Sequence, residues 1–240
     1  MKLDILVFGA HPDDAELGAG GTIAKEVSRG KKVGIVDLTR GELGTRGSAE
    51  LRDKEAAKAA KILGIAVREN MEFDDGFFVN DREHQMEIIK MIRKYRPEIV
   101  LCNAVDDRHI DHPKGSKLVS DACFLSGLVK IDTQMDGDDE WQEPWRPKLV
   151  YHFIQWKNLE PDFVMDVSGF METKVDAIMA YASQFYDPDS DEPETPISSK
   201  NFTDSVIYRA RDLGRLVGVE HAEGFTVERY AAVDNLDALI

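Results

Sequence analysis

The sequence predicts an α/β fold: a Rossmann-like, doubly wound and mostly parallel sheet, in one domain that spans residues 1–240. First, strand and helix patterns alternate through the first half of the chain, an order typical of parallel sheets with right-handed crossovers. Second, predicted helices end at Gly30 and Gly64 and just before Pro97. Third, 240 residues suit one large α/β domain. From Lys130 onward the pattern changes, so we expect an elaborated C-terminal third.

The first elements form a strand, a helix and a second strand. The apolar run Leu3–Phe8 is interpreted as a buried strand. An amphipathic helix follows from Ala15 to Arg29, and Gly30 ends it. Lys32–Leu38 is the second predicted strand, and a polar loop over Thr39–Gly47 follows it.

The next elements repeat this order. An alanine-rich helix is predicted over Ser48–Leu63, where Ser48 is a good N-cap and Gly64 ends the helix. A third strand over Val67–Phe73 precedes a third helix over Asp81–Tyr95. Two further elements complete this half: the strand Glu98–Asn103 and the helix Pro113–Ser126. With the strand order 3-2-1-4-5, strands one and four are neighbours at the topological switch point, where such folds bind ligands.

The C-terminal third holds two irregular segments and several regular elements. Residues Asp132–Pro147 are acidic and are expected to form a loop or lid. Residues Asp187–Ser199 are rich in Pro, Asp and Ser, and we expect them to be mobile. The predicted strands are Lys148–Gln155, Phe163–Val167 and Gly224–Tyr230, and the predicted helices are Phe170–Phe185 and Thr203–Val217.

Composition excludes several classes of partner. The formal net charge of −15 argues against nucleic acid and against anionic membranes, although a local basic pocket could still bind a small anionic substrate. Hydrophobic residues make up 42% of the chain, and no apolar run reaches the length of a membrane span. Residues Met1–Asp4 carry no export signal, so we expect a cytoplasmic protein. Cys102 and Cys123 have no zinc-like or redox spacing and are expected to be buried thiols.

Two polar clusters follow the first and fourth predicted strands. His11, Pro12, Asp13 and Asp14 form a sharp turn between the first strand and its helix. An Asp at this position is also ordinary helix capping chemistry, and this alternative stays open. The second cluster is the run His109–His112, which the strand order brings to the same crevice.

Together the clusters predict a catalytic metal site. Three ligands would come from six candidates: His11, Asp13, Asp14, His109, Asp111 and His112. Residues three apart lie on the same side of a turn, so His11 with Asp14 and His112 is the natural set. This choice leaves Asp13 and His109 as acid/base groups. For the second cluster, the alternative is a solvated loop with a helix cap.

The small-residue run Gly18–Gly21 raises the alternative of nucleotide binding. It lacks the Gly-x-Gly-x-x-Gly spacing directly after the first strand, and the two carboxylates of the preceding turn would repel phosphate. We therefore expect these residues to let the helix pack closely on the sheet.

The two clusters also carry a family resemblance. Ala10–Glu16, with the sequence Ala-His-Pro-Asp-Asp-Ala-Glu, resembles the Ala-His-Pro-Asp-Asp-Glu signature of the zinc-dependent N-acetylglucosaminyl deacetylases of the LmbE-like (PIG-L) family. His109–His112 is similar to the second His-x-x-His element of that family. The resemblance extends to Thr39–Glu42, Gly44–Gly47, Arg52 and Gly218–Phe225. Ala15 stands where many members have the Glu, although Glu16 follows at once.

The resemblance is strongest to members of the bacillithiol pathway, which act on N-acetylglucosaminyl malate, and it implies their chemistry. A Zn²⁺-bound water would attack the amide with Asp13 as general base, protonated His109 would stabilise the oxyanion, and Asp111 would orient His109. Two imidazoles and one carboxylate accept Fe²⁺ as well as Zn²⁺. The family also implies a homo-oligomer, such as a hexamer.

The resemblance and the residue types together predict the substrate contacts. Arg46, Arg52 and Arg108 lie on or beside the loops that should surround the crevice, and Arg suits the two carboxylates of a malyl aglycone. The alternative is that each is an ordinary surface arginine. Glu42 is expected to contact sugar hydroxyls, and His221 is expected to reach the pocket.

Other functions stay open at this point. Within the same class, the chain could deacetylate another N-acetylglucosamine-containing substrate or act as an amidase of a thiol conjugate. From a different class, it could be a non-enzymatic Rossmann-like module that binds a nucleotide or a metal; such a module would lack a ligand or the base, and here none is missing.

Overall fold

Seven strands form one sheet in the order β3-β2-β1-β4-β5-β7-β6, in a computed structural model that describes residues 1–135, 137, 140–235 and 237. The strands are β1 (Ile5–Gly9), β2 (Val33–Thr39), β3 (Val67–Phe73), β4 (Ile99–Cys102), β5 (Leu149–Phe153), β6 (Phe163–Asp166) and β7 (Ala222–Val227). The helices are α1 (Asp14–Ser28), α2 (Ala49–Leu63), α3 (Arg82–Tyr95), α4 (Asp111–Leu125), α5 (Met171–Met179) and α6 (Lys200–Val217).

The predicted order of the first five strands is confirmed. Strand β1 lies between β2 and β4 and is parallel to both, while β3 and β5 extend the parallel sheet at either side. Beyond β5 the sheet changes character, because β7 pairs antiparallel with both β5 and β6. The fold is therefore a mostly parallel α/β sheet with an antiparallel edge.

Helices cover both faces of the sheet, so the central strands are apolar throughout. Along β1, Ile5 and Val7 belong to the core cluster that includes residues of α1, α2 and α5. Leu6 and Phe8 point the other way, into the cluster that includes residues of α3 and α4. This alternation on a strand buried on both faces explains why its sequence is an unbroken hydrophobic run.

The glycines of α1 permit the close approach that the sequence predicted. A β-carbon at Gly18 would lie 2.1 Å from Phe153 Cδ2, and one at Gly21 would lie 2.9 Å from Val167 Cβ. Only a residue without a side chain fits at such distances. The run therefore serves packing of α1 against the sheet.

Two helices of the C-terminal third differ from the predicted bounds. Helix α5 ends at Met179, whereas the sequence predicted a helix to Phe185. Tyr181 and Phe185 are fully buried in the turns that follow, so the apolar pattern continues after the helix has ended. Helix α6 begins at Lys200 rather than Thr203, because the Ser199 hydroxyl accepts a hydrogen bond from the Phe202 backbone N–H at 3.2 Å and caps it.

The acidic segment over 132–147 is a loop, of which residues 136, 138 and 139 lie outside the described part. Trp145 Nε1 donates to the carbonyl of Pro97 at 2.7 Å, and Arg146 Nη2 donates to the carbonyl of Phe124 at 2.8 Å. These contacts place the segment beside α3 and α4. None of its described residues lines the cavity presented below, so no position found here supports a lid.

Cys102 and Cys123 are buried free thiols, as predicted. Among the helices over the described ranges, none has the length and apolar character needed to cross a membrane. The homo-oligomer and the mobility of residues 187–199 stay predictions.

Candidate active site

The two polar clusters meet beyond the carboxyl ends of β1 and β4. His11, Asp13 and Asp14 follow β1 directly, and Asp14 begins α1. His112 lies in the first turn of α4, which starts soon after β4. Because β1 and β4 are adjacent parallel strands, the sheet brings the clusters together at the predicted edge.

Asp14 lies between the two imidazoles proposed as metal ligands. His11 Nδ1 is 3.5 Å from Asp14 Oδ2, and His112 Nε2 is 3.2 Å from Asp14 Oδ1. All three side chains are buried. The structure thus brings the predicted ligands into one cluster.

Further carboxylates hold each imidazole from its other side. His11 Nε2 lies 3.0 Å from Asp75 Oδ1 and 3.3 Å from Asp111 Oδ2. His112 Nδ1 lies 2.7 Å from Asp107 Oδ2. Metal-binding histidines typically donate their second ring N–H to a carboxylate in this way. With the remaining ring nitrogens turned towards Asp14, these residues fit a divalent cation.

The geometry also offers other donor sets. Within the described residues, two groups of three side chains have ligand atoms within 4.8 Å of one another: His11 with His109 and His112, and His11 with Asp75 and Asp111. The first group has His109 in place of Asp14. Asp14 as the third ligand therefore stays a prediction, supported by its contacts with both imidazoles.

Two amides that the sequence analysis missed hold Asp14 in place. Asn103 Nδ2 donates to Asp14 Oδ2 at 3.0 Å, while Asn103 Oδ1 accepts the backbone N–H of Ala10 at 2.8 Å. Gln155 Nε2 donates to Asp14 Oδ1. Asn103 and Gln155 end two of the predicted strands, and a polar residue at that edge of a parallel sheet was the available signal.

Charges in the cluster oppose the effect of burial. Burial alone raises the pKa of Asp14, but the charge of His112 and hydrogen bonds from both imidazoles lower it well below its usual value. Burial lowers the pKa of His112, whereas Asp14 and Asp107 raise it, to about 9. The protein without metal thus holds these groups as ion pairs, which a cation would replace.

Asp13 is not an ordinary helix cap. Its φ is 117°, its side chain makes no capping hydrogen bond, and its carboxylate Oδ2 accepts a hydrogen bond from Arg52 Nη2 at 2.9 Å. A non-glycine residue in this region of φ stores strain, which is commonest at functional sites. Burial raises the pKa of Asp13 to about 7 although Arg52 opposes the shift. A carboxylate with this pKa is suited to act as a base near neutral pH.

His109 stands over the cluster, but one contact expected of it is not made. Its ring centroid lies 4.5 Å from that of His11 and 5.2 Å from that of His112. Burial and these two imidazoles lower the pKa of His109; its protonated role in the reaction stays a prediction. The Asp111 carboxylate does not orient His109 as expected. It lies 3.3 Å from His11 Nε2 and accepts the backbone N–H of Gly76 at 2.8 Å. Only the Asp111 backbone N–H contacts His109, by donating to Nδ1 at 3.3 Å.

A cavity of about 460 Å³ opens over this cluster. Of the predicted substrate-binding residues, Arg52 and Arg108 line it. Arg52 is buried against Asp13, whereas Arg108 is exposed and its guanidinium carbon lies 4.6 Å from the ring centroid of Trp156. No ion pair of Arg108 is seen with any carboxylate in the described part of the chain.

The other three predicted substrate residues do not line this cavity. Arg46 is buried, and its guanidinium donates to Ser190 Oγ and to the carbonyl of Phe185. The carboxylate of Glu42 accepts the backbone N–H of Asp75 at 2.7 Å. His221 precedes β7, and its backbone N–H bonds Ser168 at 3.2 Å. Arg46 and Glu42 are thus held by partners outside the cavity, and substrate contact by these three residues stays a prediction.

Ala222, Glu223 and Gly224 are the residues of the C-terminal motif that line the cavity, and Glu223 is the charged one. Its carboxylate accepts the backbone N–H groups of Gly21 and Thr22 at 2.9 and 2.7 Å and lies 2.6 Å from Lys174 Nζ. These partners lie far away in the sequence, so spacing alone could not identify the contact. The motif thus joins α1 and α5 to β7 beside the cavity.

Comparisons with known proteins agree with this fold and site. Residues 6–123 match the family model described as PIG-L, GlcNAc-PI de-N-acetylase. Diacetylchitobiose deacetylase of Thermococcus kodakarensis is 32% identical over 193 residues, which cover 75% of this chain and 70% of that enzyme. The structure of the conserved protein TT1542 from Thermus thermophilus has a TM-score of 0.85 and 33% identity and covers 97% of this chain and 98% of its own. The structure of N,N'-diacetylchitobiose deacetylase from Pyrococcus horikoshii, complexed with its inhibitor, has a TM-score of 0.80 and 25% identity. The match covers 98% of this chain and 88% of that chain.

Proposed function

The chain belongs to the PIG-L (LmbE-like) family of de-N-acetylases, and on this premise we propose that it is a metal-dependent deacetylase that hydrolyses the N-acetyl group of N-acetylglucosaminyl malate. One observation carries the proposal. His11 and His112 each have one ring nitrogen bonded to a carboxylate and the other turned towards Asp14, and Asp13 lines the same cavity.

A divalent ion such as Zn²⁺ or Fe²⁺, held by His11, Asp14 and His112, would polarise the amide carbonyl and make water more acidic. Asp13 would accept the proton of the attacking water, and Arg52 would keep its carboxylate oriented. His109 would donate a hydrogen bond to the developing oxyanion. A proton then passes to the leaving amine, so the products are acetate and the free amino sugar.

Arg108 is the residue that supports an anionic aglycone. Among the three arginines that line the cavity, Arg52 is bound to Asp13 and Arg209 Nη2 donates to the carbonyl of Trp156 at 2.6 Å. Arg108 is exposed over the Trp156 ring, so its guanidinium is free to form paired hydrogen bonds with a carboxylate. A malyl group supplies two carboxylates.

A second candidate substrate is diacetylchitobiose, because the Thermococcus kodakarensis relative is named for it. A cavity of about 460 Å³ falls in the range of small-molecule binding sites.

The experiment that separates these substrates measures amine release by the zinc-loaded protein from N-acetylglucosaminyl malate, diacetylchitobiose and N-acetylglucosamine. We expect the highest kcat/KM with the malate, and the Arg108→Gln variant should reduce that preference without affecting N-acetylglucosamine to the same degree. Faster turnover of diacetylchitobiose would retain the deacetylase and reject the malate. Absence of release from all three would reject both.

A further inference from the structure

Helix α6 has an apolar stripe that packs in part against the core and also lines a cavity. Phe202, Val206, Ala210 and Leu213 follow one another at intervals of four, four and three residues, so they share one face of the helix. All four line the cavity that holds the proposed metal ligands. Ala210 and Gly214 are the only fully buried residues of α6. An amphipathic helix normally buries such a stripe against other elements.

Four apolar side chains from other segments line the same cavity. They are Leu17, Ile154, Trp156 and Ile197. The rings of Trp156 and Phe202 stack with centroids 5.2 Å apart and an interplanar angle of 19°. We call the part of the cavity that these four residues and the stripe of α6 line the apolar arm.

Apart from Arg108, whose guanidinium lies over the Trp156 ring, the charged groups beside the apolar arm are paired within the protein. Lys174 Nζ and Glu223 Oε1 lie 2.6 Å apart, and both residues are buried. Arg209 donates to a backbone carbonyl at 2.6 Å. A ligand in the arm would therefore meet apolar surface rather than free charge, and burying apolar surface there is favourable.

Resting on the proposed function, we propose that the apolar arm is a subsite for an apolar group on the aglycone of the substrate. The acyl group is a poor occupant, because the methyl of an acetyl group is small whereas the stripe from Phe202 to Leu213 extends for about 16 Å along α6. A malyl group alone also has no apolar part of this size. N-acetylglucosaminyl malate would therefore leave the arm empty, and the same site would also accept N-acetylglucosaminyl substrates whose aglycone carries an apolar group.

The test compares kcat/KM for amine release from the phenyl and the methyl β-glycosides of N-acetylglucosamine, with the zinc-loaded protein. We expect the phenyl glycoside to be favoured about tenfold or more, since pockets discriminate by this amount for small apolar groups. Val206→Asp should bring the ratio close to one, and the nearly isosteric Val206→Thr should reduce it less. Tyr208→Ala, on the exposed side of α6, is the matched control and should leave the ratio unchanged.

The same experiment can overturn the proposal in several ways. Equal kcat/KM for the two glycosides would do so, as would a ratio that Val206→Thr and a folded Val206→Asp leave unchanged. A preference for N-butyryl over N-acetyl glucosamine without any preference among the glycosides would move the arm to the acyl side and reject the aglycone assignment. Absence of amine release from every probe would instead reject the proposed function. Calorimetric binding of the two glycosides would then test the apolar subsite separately. We expect tighter binding of the phenyl glycoside, and equal binding would reject the subsite.

Discussion

Removing the carboxylate of Asp107 should weaken metal binding without touching a proposed ligand. Asp107 Oδ2 accepts the hydrogen bond from His112 Nδ1 at 2.7 Å, and both side chains are buried. This bond fixes the tautomer that leaves His112 Nε2 free to bind a cation. We expect Asp107→Ala to weaken Zn²⁺ affinity about 10- to 100-fold, which corresponds to about 1.4–2.8 kcal/mol.

The assay is a competition titration of the metal-free protein with a chelator of known Zn²⁺ affinity. Asp106→Ala is the matched control, because Asp106 is the preceding residue but is exposed and pairs with Lys157 at 2.7 Å. Asp107 also accepts the backbone N–H groups of Arg108 and Lys157, so thermal unfolding is measured for each variant. Asp107→Asn, which keeps an acceptor oxygen, should lose less affinity. If folded Asp107→Ala binds Zn²⁺ as tightly as the parent protein, His112 does not bind the metal in the way argued here.

Three further predictions concern catalysis, packing and pH. Asp13→Ala should lower kcat about 10²–10⁴-fold and retain its metal, measured by amine release and metal analysis; loss of the metal would make Asp13 a ligand instead of the base. Gly18→Ala should lower the free energy of unfolding by about 1–3 kcal/mol in urea titrations, because its β-carbon would lie 2.1 Å from an aromatic carbon of β5; an unchanged midpoint would mean that the backbone has room. Burial lowers the pKa of His152, but Cys102 and Glu228 raise it to about 11. Because this folded-state pKa exceeds the pKa of an unfolded histidine, protonated His152 stabilises the folded protein. That stabilisation is present in full below about pH 6.5 and is lost as the pH rises through 11. His152→Gln should therefore destabilise the protein more at pH 6 than at pH 10, and an equal loss at both would contradict the charged pair.

The sequence predicted the part of the fold that depends on local pattern. Strands β1 to β4 are apolar runs between recognisable helices, and each lies close to its predicted place. The antiparallel edge was not predicted, because two helices, α5 and α6, separate β7 from the strands with which it pairs. The end of α5 was misplaced because Tyr181 and Phe185 continue its apolar pattern while packing in turns.

The same distinction holds for the site. Short spacing and strand order were enough to bring His11, Asp14 and His112 together. The residues that hold them, such as Asp75 and Asn103, come from other loops and strand ends. Their contacts exist only after the sheet has assembled, so no spacing in the sequence could reveal them.

The most direct test of the account is amine release from N-acetylglucosaminyl malate by metal-free protein, measured while Zn²⁺ is added stepwise. We expect no amine release without metal and a release that rises with added Zn²⁺ to a maximum near one ion per chain. The His112→Ala variant should stay inactive when the same amount of Zn²⁺ is added. Equal release before and after metal is added, or full activity of His112→Ala, would contradict a metal site built from His11, Asp14 and His112.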